Sequence, residues 1–117
     1  MERRNHPRVA VTHPALYSSN VYPRPKVAST LDLSLGGTKI EIIHTLDKNE
    51  GLEISIAIQP QVIKCRGKVI YVQERENGKV EAGIQFEGLS APDQLYLRQY
   101  LLHVMDQQAL KASLSVD

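Results

Sequence analysis

A carboxylate and a hydroxyl stand two positions apart in the segment LDLSLGGTKI, residues 31–40. Asp32 and Ser34 would share one face of an extended segment, because successive side chains of a strand alternate between its two faces. The other face would carry three anchoring leucines, Leu31, Leu33 and Leu35. A carboxylate accepts two parallel hydrogen bonds, so Asp32 suits the N1–H and N2–H donors of a guanine base, and Ser34 suits a phosphate or a base edge.

Two glycines follow this polar pair and shape what can approach it. Gly36 and Gly37 lack a Cβ atom, so they permit positive φ and let a ligand lie close to backbone amides. Aspartate, serine and glycine are also ordinary turn residues. The motif alone therefore leaves two interpretations open, a ligand site and a plain turn.

Arginines near the N-terminus could supply the opposite charge. In ERRNHPR, residues 2–8, Pro7 excludes a helix, so Arg3, Arg4 and Arg8 are expected to project from a mobile loop. Guanidinium groups bind phosphates bidentately, pair with O6 and N7 of guanine, and stack on base planes. The alternative is a solvated basic segment without a ligand.

Composition limits the class of protein. The 117 residues, 42% of them hydrophobic, suffice for one domain with a modest core. The 14 basic and 13 acidic residues leave a net charge of +1, which gives no reason to expect the chain to coat nucleic acid or an anionic membrane. No apolar run is long enough for a membrane span or a signal peptide. We therefore expect a cytoplasmic location and no membrane insertion.

Hydropathy alternates with period two in four segments, residues 37–43, 51–58, 62–72 and 79–86, which predicts strands with one buried face. A fifth strand is expected at about residues 26–35. In the third segment we expect four side chains to face the core: Ile63, Cys65, Val69 and Tyr71. Turn signals at residues 47–51, 59–61 and 76–78 predict successive hairpins, and hence antiparallel sheet.

The C-terminal part has a different period. Ser90 and Asp93 form a capping-box-like S-x-x-D, followed by apolar residues at helical spacing. Short strands with one terminal helix favour a small barrel or rolled sheet whose opening the helix covers. We expect one domain over residues 1–105, with an arginine-bearing loop at residues 1–10. Residues 106–117 either prolong the helix or fray.

Two motifs together indicate a family. Arg4 to Arg8 reads R-x-x-x-R, and Asp32 to Gly37 reads D-x-S-x-x-G. This pair, in this order, resembles the PilZ domain, a receptor module for the bacterial second messenger cyclic di-GMP. The segments RGKVIYV and EAGIQFEGLSAPDQLYLRQYL are similar to the family's later strands and its strand-to-helix passage, so the resemblance covers nearly the whole chain.

The resemblance implies a mostly β fold, a six-stranded antiparallel barrel with a C-terminal α-helix. It further implies cyclic di-GMP as the ligand and no other cofactor. Arg4 and Arg8 would hold phosphates and guanine edges, and Asp32 and Ser34 would contact a guanine and its neighbouring phosphate. Gly37, with Gly36 beside it, would keep the turn open.

Two further positions matter under this resemblance. Arg3 directly precedes the first motif arginine, where the residue in similar proteins influences whether one nucleotide or an intercalated pair is held. A third guanidinium would offset repulsion among four phosphate charges, so we expect two cyclic di-GMP molecules per chain. The family often carries a tryptophan in the strand after the central hairpin, and Tyr71 sits near that place.

Three functional classes follow. The first is a cyclic di-GMP receptor that changes conformation and signals to a protein partner. The second is a PilZ-like interaction module that does not bind the nucleotide. The third is a single-stranded nucleic-acid binder, which requires several aromatic side chains for base stacking. The chain has only five tyrosines and one phenylalanine, so no DNA or RNA partner is expected.

Catalysis and metal binding are not predicted by the sequence. It contains neither a nucleophile elbow nor an ordered catalytic triad, which argues against an enzyme. Cys65 lacks a C-x-x-C partner, and the four histidines lack ligand spacing: His6, His13, His44 and His103. Cys65 is most simply a small hydrophobe.

Overall fold

The computed structural model describes residues 6–114, which form six strands and one α-helix. The strands are β1 (Pro14–Ser18), β2 (Lys26–Leu33), β3 (Gly37–Ile42), β4 (Gly51–Ile58), β5 (Gln61–Glu74) and β6 (Val80–Glu87). A single 3₁₀ turn, Glu76–Gly78, joins β5 to β6, and helix α1 spans Ala91–Leu114.

The strands close into a barrel in the order β1-β2-β3-β6-β5-β4. Every neighbouring pair is antiparallel. Closure leaves no sheet edge open for unwanted pairing. The expected six-stranded antiparallel barrel with a C-terminal helix is confirmed.

Strand β1 closes the barrel by pairing with both β2 and β4, and hydropathy alone did not reveal it. It has only five residues, and its two buried side chains are Ala15 and Tyr17. A proline at its first position and an alanine at an inward position leave too few apolar residues for a recognisable period of two.

Strand β4 and the first part of β5 form a regular hairpin. Eight consecutive pairs run from Gly51↔Lys68 to Ile58↔Gln61 without interruption. Leu52, Ile54, Ile56 and Ile58 are all buried, as the alternation predicts. These side chains form much of the apolar filling of the barrel.

Strand β2 has a β-bulge immediately before Asp32. Thr30 pairs with Ile40 and Asp32 with Lys39, so Leu31 has no partner across the ladder. Unbroken alternation from the buried Thr30 would have turned Asp32 inward, but the bulge reverses the phase and buries Leu33 instead. Of the three leucines expected to anchor this segment, only Leu33 is fully buried; Leu31 and Leu35 are partly buried.

Strand β5 has a second bulge, at Ile70. Val69 pairs with Ile84 and Tyr71 with Gly83, so the phase reverses between them. Tyr71 consequently lies on the outer face of the barrel, and the prediction that it faces the core is wrong. Residues 69–72 read Val-Ile-Tyr-Val, four consecutive apolar residues, so alternation could not show which of them face the core.

Helix α1 covers one end of the barrel. Ser90 Oγ accepts a hydrogen bond from the Asp93 amide at 3.2 Å, so the S-x-x-D cap forms as predicted. Leu97 and Leu101 are buried against the core, and the Tyr96 hydroxyl donates to the Ile58 carbonyl. The helix continues to Leu114, and its side chains are exposed from residue 106 onward.

Candidate functional site

Residues of the two motifs meet at the helix-covered end of the barrel. The D-x-S-x-x-G turn joins the end of β2 to the start of β3, and residues 6–13, hereafter the N-terminal arm, pass beside it. Val9 is buried and exchanges two backbone hydrogen bonds with Leu33, at 3.0 and 2.9 Å. The arm is therefore fastened to β2 directly after Arg8, rather than projecting as a loop throughout its length.

Arg8 lies against Asp32. Its Nη1 atom is 3.2 Å from Asp32 Oδ2 and 3.4 Å from Oδ1, and the side chains are only 20% and 14% exposed. The Lys39 amide also donates to Asp32 Oδ1, at 3.0 Å. One arginine of the first motif and the carboxylate of the second are thus in direct contact. Arg3 and Arg4 lie outside the described residues.

Asp32 belongs to a row of residues that crosses four strands on the outer face. Asp32 pairs with Lys39, Lys39 with Gly83, and Gly83 with Tyr71. We call these four residues the outer row. Each of its two ends, Asp32 and Tyr71, directly follows a bulge, so the two bulges bring them to one face.

Gly83 makes room for the aromatic ring of the outer row. A Cβ atom at Gly83 would overlap carbon atoms of the Tyr71 ring, so the ring lies over this glycine. Burial raises the pKa of Tyr71, and its hydrogen bond to Glu81 and the charges of Glu81 and Asp32 raise it further, against the effect of Arg8. The phenol therefore stays protonated at neutral pH and acts as a donor.

Glu81 is a member of the candidate site that the sequence did not reveal. It is 4% exposed, although alternation places it opposite the core positions of β6. Its carboxylate accepts a hydrogen bond from Tyr71 Oη at 2.8 Å, pairs with Lys39 Nζ at 3.5 Å and accepts from the Arg75 guanidinium. No single-strand pattern could indicate this, because the side chains that cover it come from β3 and β5.

Opposing effects act on the Glu81 carboxylate. Burial by itself would raise its pKa, but the hydrogen bond from Tyr71 and the charges of Lys39 and Arg75 outweigh burial and hold the pKa below its ordinary value. Lys39 Nζ also lies 3.9 Å from Asp32 Oδ2, so the lysine bridges the two carboxylates. The site is a continuous set of charges from Arg8 to Arg75.

Ser34 has a different position from the one expected. It is 5% exposed, and its hydroxyl accepts hydrogen bonds from the amides of Gly36 at 3.1 Å and Gly37 at 3.2 Å. A Cβ atom at Gly37 would overlap the Ile84 carbonyl oxygen, so only glycine fits there. The expectation that Ser34 is presented beside Asp32 is wrong in this structure, because the strand ends at Leu33 and Ser34 shapes the turn.

Other chemistry is not apparent in the described part of the chain. Within residues 6–114, no group of three or more His, Cys, Asp or Glu side chains is arranged to hold a metal ion. Burial, with smaller contributions from Asp93 and Glu53, raises the pKa of Cys65 to about 11, so its thiol is protonated at neutral pH. No helix in the same range has the length and hydropathy to cross a membrane.

Solved structures with the same fold include three informative ones. The inhibitor of motility MotI/DgrA of Bacillus subtilis is 16% identical, with a TM-score of 0.81 over 92% of this chain and 53% of that protein. YcgR of Escherichia coli in complex with c-di-GMP is 18% identical, with a TM-score of 0.80 over 96% and 50%. The chain therefore spans about half the length of these two proteins.

The third structure is the PilZ domain of Escherichia coli YcgR with c-di-GMP. It is 17% identical, with a TM-score of 0.74 over 98% of this chain and 100% of that domain. At these identities the similarity establishes a common fold. A search of curated protein sequences found no match.

A family model supplies the sequence-level evidence. The model of the PilZ domain matches residues 2–103, which include both motifs and about half of helix α1. With the matching barrel and the meeting of the two motifs, the conclusion is direct: the chain belongs to the PilZ domain family.

Proposed function

We propose that this chain is a receptor for cyclic di-GMP that changes conformation on binding and signals to a partner protein. The observation that carries the proposal is the contact between Arg8 and Asp32, one residue from each motif, at 3.2 Å. Membership of the PilZ family and relatives solved with c-di-GMP give it further support. A cytoplasmic location belongs to the same proposal, as does the absence of catalysis.

Guanine recognition would centre on Asp32. A carboxylate has about four acceptor positions, and the Lys39 amide takes one of them at Oδ1. The N1–H and N2–H groups of guanine would replace Arg8 at the remaining positions, and the Arg8 guanidinium would turn to a phosphate of the same ligand. Ser34, Gly36 and Gly37 would give the turn the shape that lets the ligand reach Asp32. Tyr71 would offer a ring plane at the far end of the outer row.

The conformational change would begin in the N-terminal arm. Movement of Arg8 away from Asp32 removes one of the ties between the arm and β2. Further along, His13 Nε2 lies 2.6 Å from the Tyr100 hydroxyl on α1, with the two rings edge to face. The arm therefore contacts both the ligand site and the helix, and the surface that they form together would engage or release the partner.

We propose two cyclic di-GMP molecules per chain, with Arg3 and Arg4 completing the set of guanidinium groups. Four phosphate charges in an intercalated pair need more cationic partners than Arg8 alone. Calorimetry should then saturate near two ligands for the parent and near one for Arg3→Leu. Clean saturation of the parent at one ligand would overturn the stoichiometry and leave a single-site receptor.

Titration calorimetry with cyclic di-GMP at low ionic strength tests the proposed function. Heat and a rise in melting temperature are expected, and both should diminish with salt because the ligand carries two phosphate charges. GTP serves as the control and should bind much more weakly. If cyclic di-GMP gives neither heat nor a thermal shift, the receptor proposal fails.

The alternative is a PilZ-like interaction module that does not bind the nucleotide. One observation favours it: the Asp32 carboxylate already has Arg8 and Lys39 as partners, so its charge is compensated without a ligand. The same titration separates the two candidates, since only the receptor responds to cyclic di-GMP.

A further inference from the structure

A groove of about 250 Å³ lies between the motif turn and helix α1. Its lining includes His6, Leu35, Phe86, Leu89, Gln94 and Arg98. The volume is below the roughly 300–1,000 Å³ typical of pockets that enclose a whole drug-sized ligand. It therefore suits one end of a larger ligand, such as a single base.

The groove adjoins the proposed ligand site. The imidazole of His6, which lies between the two arginines of R-x-x-x-R, sits over Gly36, where an added Cβ would be 3.1 Å from His6 Cδ2. Leu35, from the middle of the motif turn, lines the groove as well. A ligand bound at Asp32 and the arm has this groove as its immediate neighbour.

Arg98 is the charged group of the groove. Its side chain is exposed, and within residues 6–114 its guanidinium has no hydrogen-bond or ion-pair partner. Arg98 also borders a second, apolar recess beside Pro7 and Leu35, so this part of α1 faces the N-terminal arm. A guanidinium has five N–H donors in a planar fork, and here all of them are available.

The other side chains of the groove suit a base better than a phosphate. Gln94 Nε2 already donates to the Leu89 carbonyl at 2.9 Å, so Arg98 offers the largest set of unengaged donors in the groove, beside the His6 imidazole. Leu35, Phe86 and Leu89 offer apolar surface, which suits the plane of a base and gives nothing to a phosphate. The O6 and N7 acceptors of guanine match an arginine fork.

From these observations we propose that Arg98 binds the O6/N7 edge of a guanine of cyclic di-GMP in this groove. The inference rests on the proposed function and adds a specificity-determining residue on α1, outside both motifs. It also means that the ligand touches the helix directly, in addition to the arm.

Calorimetry of Arg98→Ala with cyclic di-GMP tests the proposal. A bidentate contact of this kind corresponds to a loss of affinity of about 5- to 150-fold. Arg98→Lys, which keeps the charge but not the fork, should recover little of the loss. Arg66→Ala is the matched control, since Arg66 is an exposed arginine on β5 whose partner is Glu53.

An analogue of the ligand gives a second measurement. Cyclic di-GMP built with 7-deazaguanine lacks N7, so the parent should bind it more weakly than the natural ligand, and this loss of affinity should be smaller in Arg98→Ala, where one N7 contact is already absent. If Arg98→Ala lowers the number of bound ligands, the groove holds the second molecule; if only affinity falls, it holds a base of the first. Either result supports the contact.

The outcomes separate this inference from the receptor proposal. If the parent binds cyclic di-GMP and Arg98→Ala binds it with the same affinity, the role of Arg98 is overturned and the receptor proposal stands. A loss that Arg98→Lys restores fully also overturns it, because charge alone would then suffice. A parent that does not bind at all refutes both proposals.

Discussion

The β4–β5 hairpin differs in regularity from two bulged segments of the same barrel, in β2 and in the later part of β5. The hairpin keeps its register over eight pairs, and its inward side chains are isoleucine or leucine at every position of β4. By contrast, β2 and the later part of β5 each lose register at one residue, Leu31 and Ile70. Asp32 and Tyr71 of the candidate site directly follow these two breaks.

The difference assigns separate tasks to separate parts of the barrel. Regular alternation buries apolar surface, which is the main favourable contribution to folding. A bulge gives up one ladder position and in return redirects the next side chain. Here the two redirected residues, Asp32 and Tyr71, occupy one row with Lys39 and Gly83 between them. The regular β4–β5 hairpin supplies much of the core, and the two bulged strands, with β3 and β6 between them, carry the proposed site.

The largest expected effect comes from breaking the regular region. Ile56→Asp should unfold the domain, because burying a carboxylate in place of this side chain costs more than the free energy of unfolding of a small domain. Val62→Asp is the control, since Val62 is exposed on the neighbouring strand and should shift the melting temperature little. Circular dichroism melting measures both. A folded Ile56→Asp protein would contradict the assignment of the core.

Arg8→Ala breaks the interrupted region without touching the core. Binding of cyclic di-GMP should weaken by about 2–5 kcal/mol if Arg8 meets a desolvated phosphate, which is roughly thirtyfold or more in affinity. Stability should fall by only about 1 kcal/mol, since one ion pair is lost. Asp32→Ala should also weaken binding, by leaving guanine donors without an acceptor. Either variant binding like the parent while folded would show that the site is wrongly assigned.

Gly83→Ala tests the middle of the outer row. The added methyl group would overlap the Tyr71 ring, so the ring must move and its hydrogen bond to Glu81 is expected to break. We expect a loss of about 1–3 kcal/mol in the free energy of unfolding. Gly51→Ala is the matched control, because nothing lies within 4 Å of a Cβ there. Equal denaturation midpoints for the two variants would mean that the ring does not depend on this glycine.

The smallest effect concerns pH. The pKa of Glu81 is lower in the folded protein than its ordinary value of 4.5, so its contribution to stability is present above that value and is lost as pH falls through the folded pKa. Glu81→Gln should therefore flatten the decline in stability below about pH 5. Glu53→Gln, at an exposed position, should leave the decline unchanged. Parallel pH profiles for Glu81→Gln and the parent would contradict the network around this carboxylate.

The sequence predicted most of the barrel and only part of the arrangement at the candidate site. Alternation located the strands of residues 37–86, and the S-x-x-D spacing located the helix cap, because both patterns are local in the sequence. The two bulges were not predicted, because they depend on the register between strands. The orientation of Tyr71 was therefore predicted wrongly. Glu81 and Arg98 escaped for a similar reason: what makes them notable is the set of neighbours that the fold brings from distant segments. Ser34 was assigned to the ligand although its nearest partners are the amides of its own turn.

A nuclear magnetic resonance titration with cyclic di-GMP tests the central claim most directly, because it reports on every backbone amide at once. If the motif turn and the outer row carry the site, the largest shifts should fall on residues 32–37, Lys39 and Gly83. The amides of the loop at residues 43–50, at the opposite end of β3, should shift little. Shifts concentrated in that loop or along the regular β4–β5 hairpin, or no shifts at a saturating concentration of the ligand, would contradict the account.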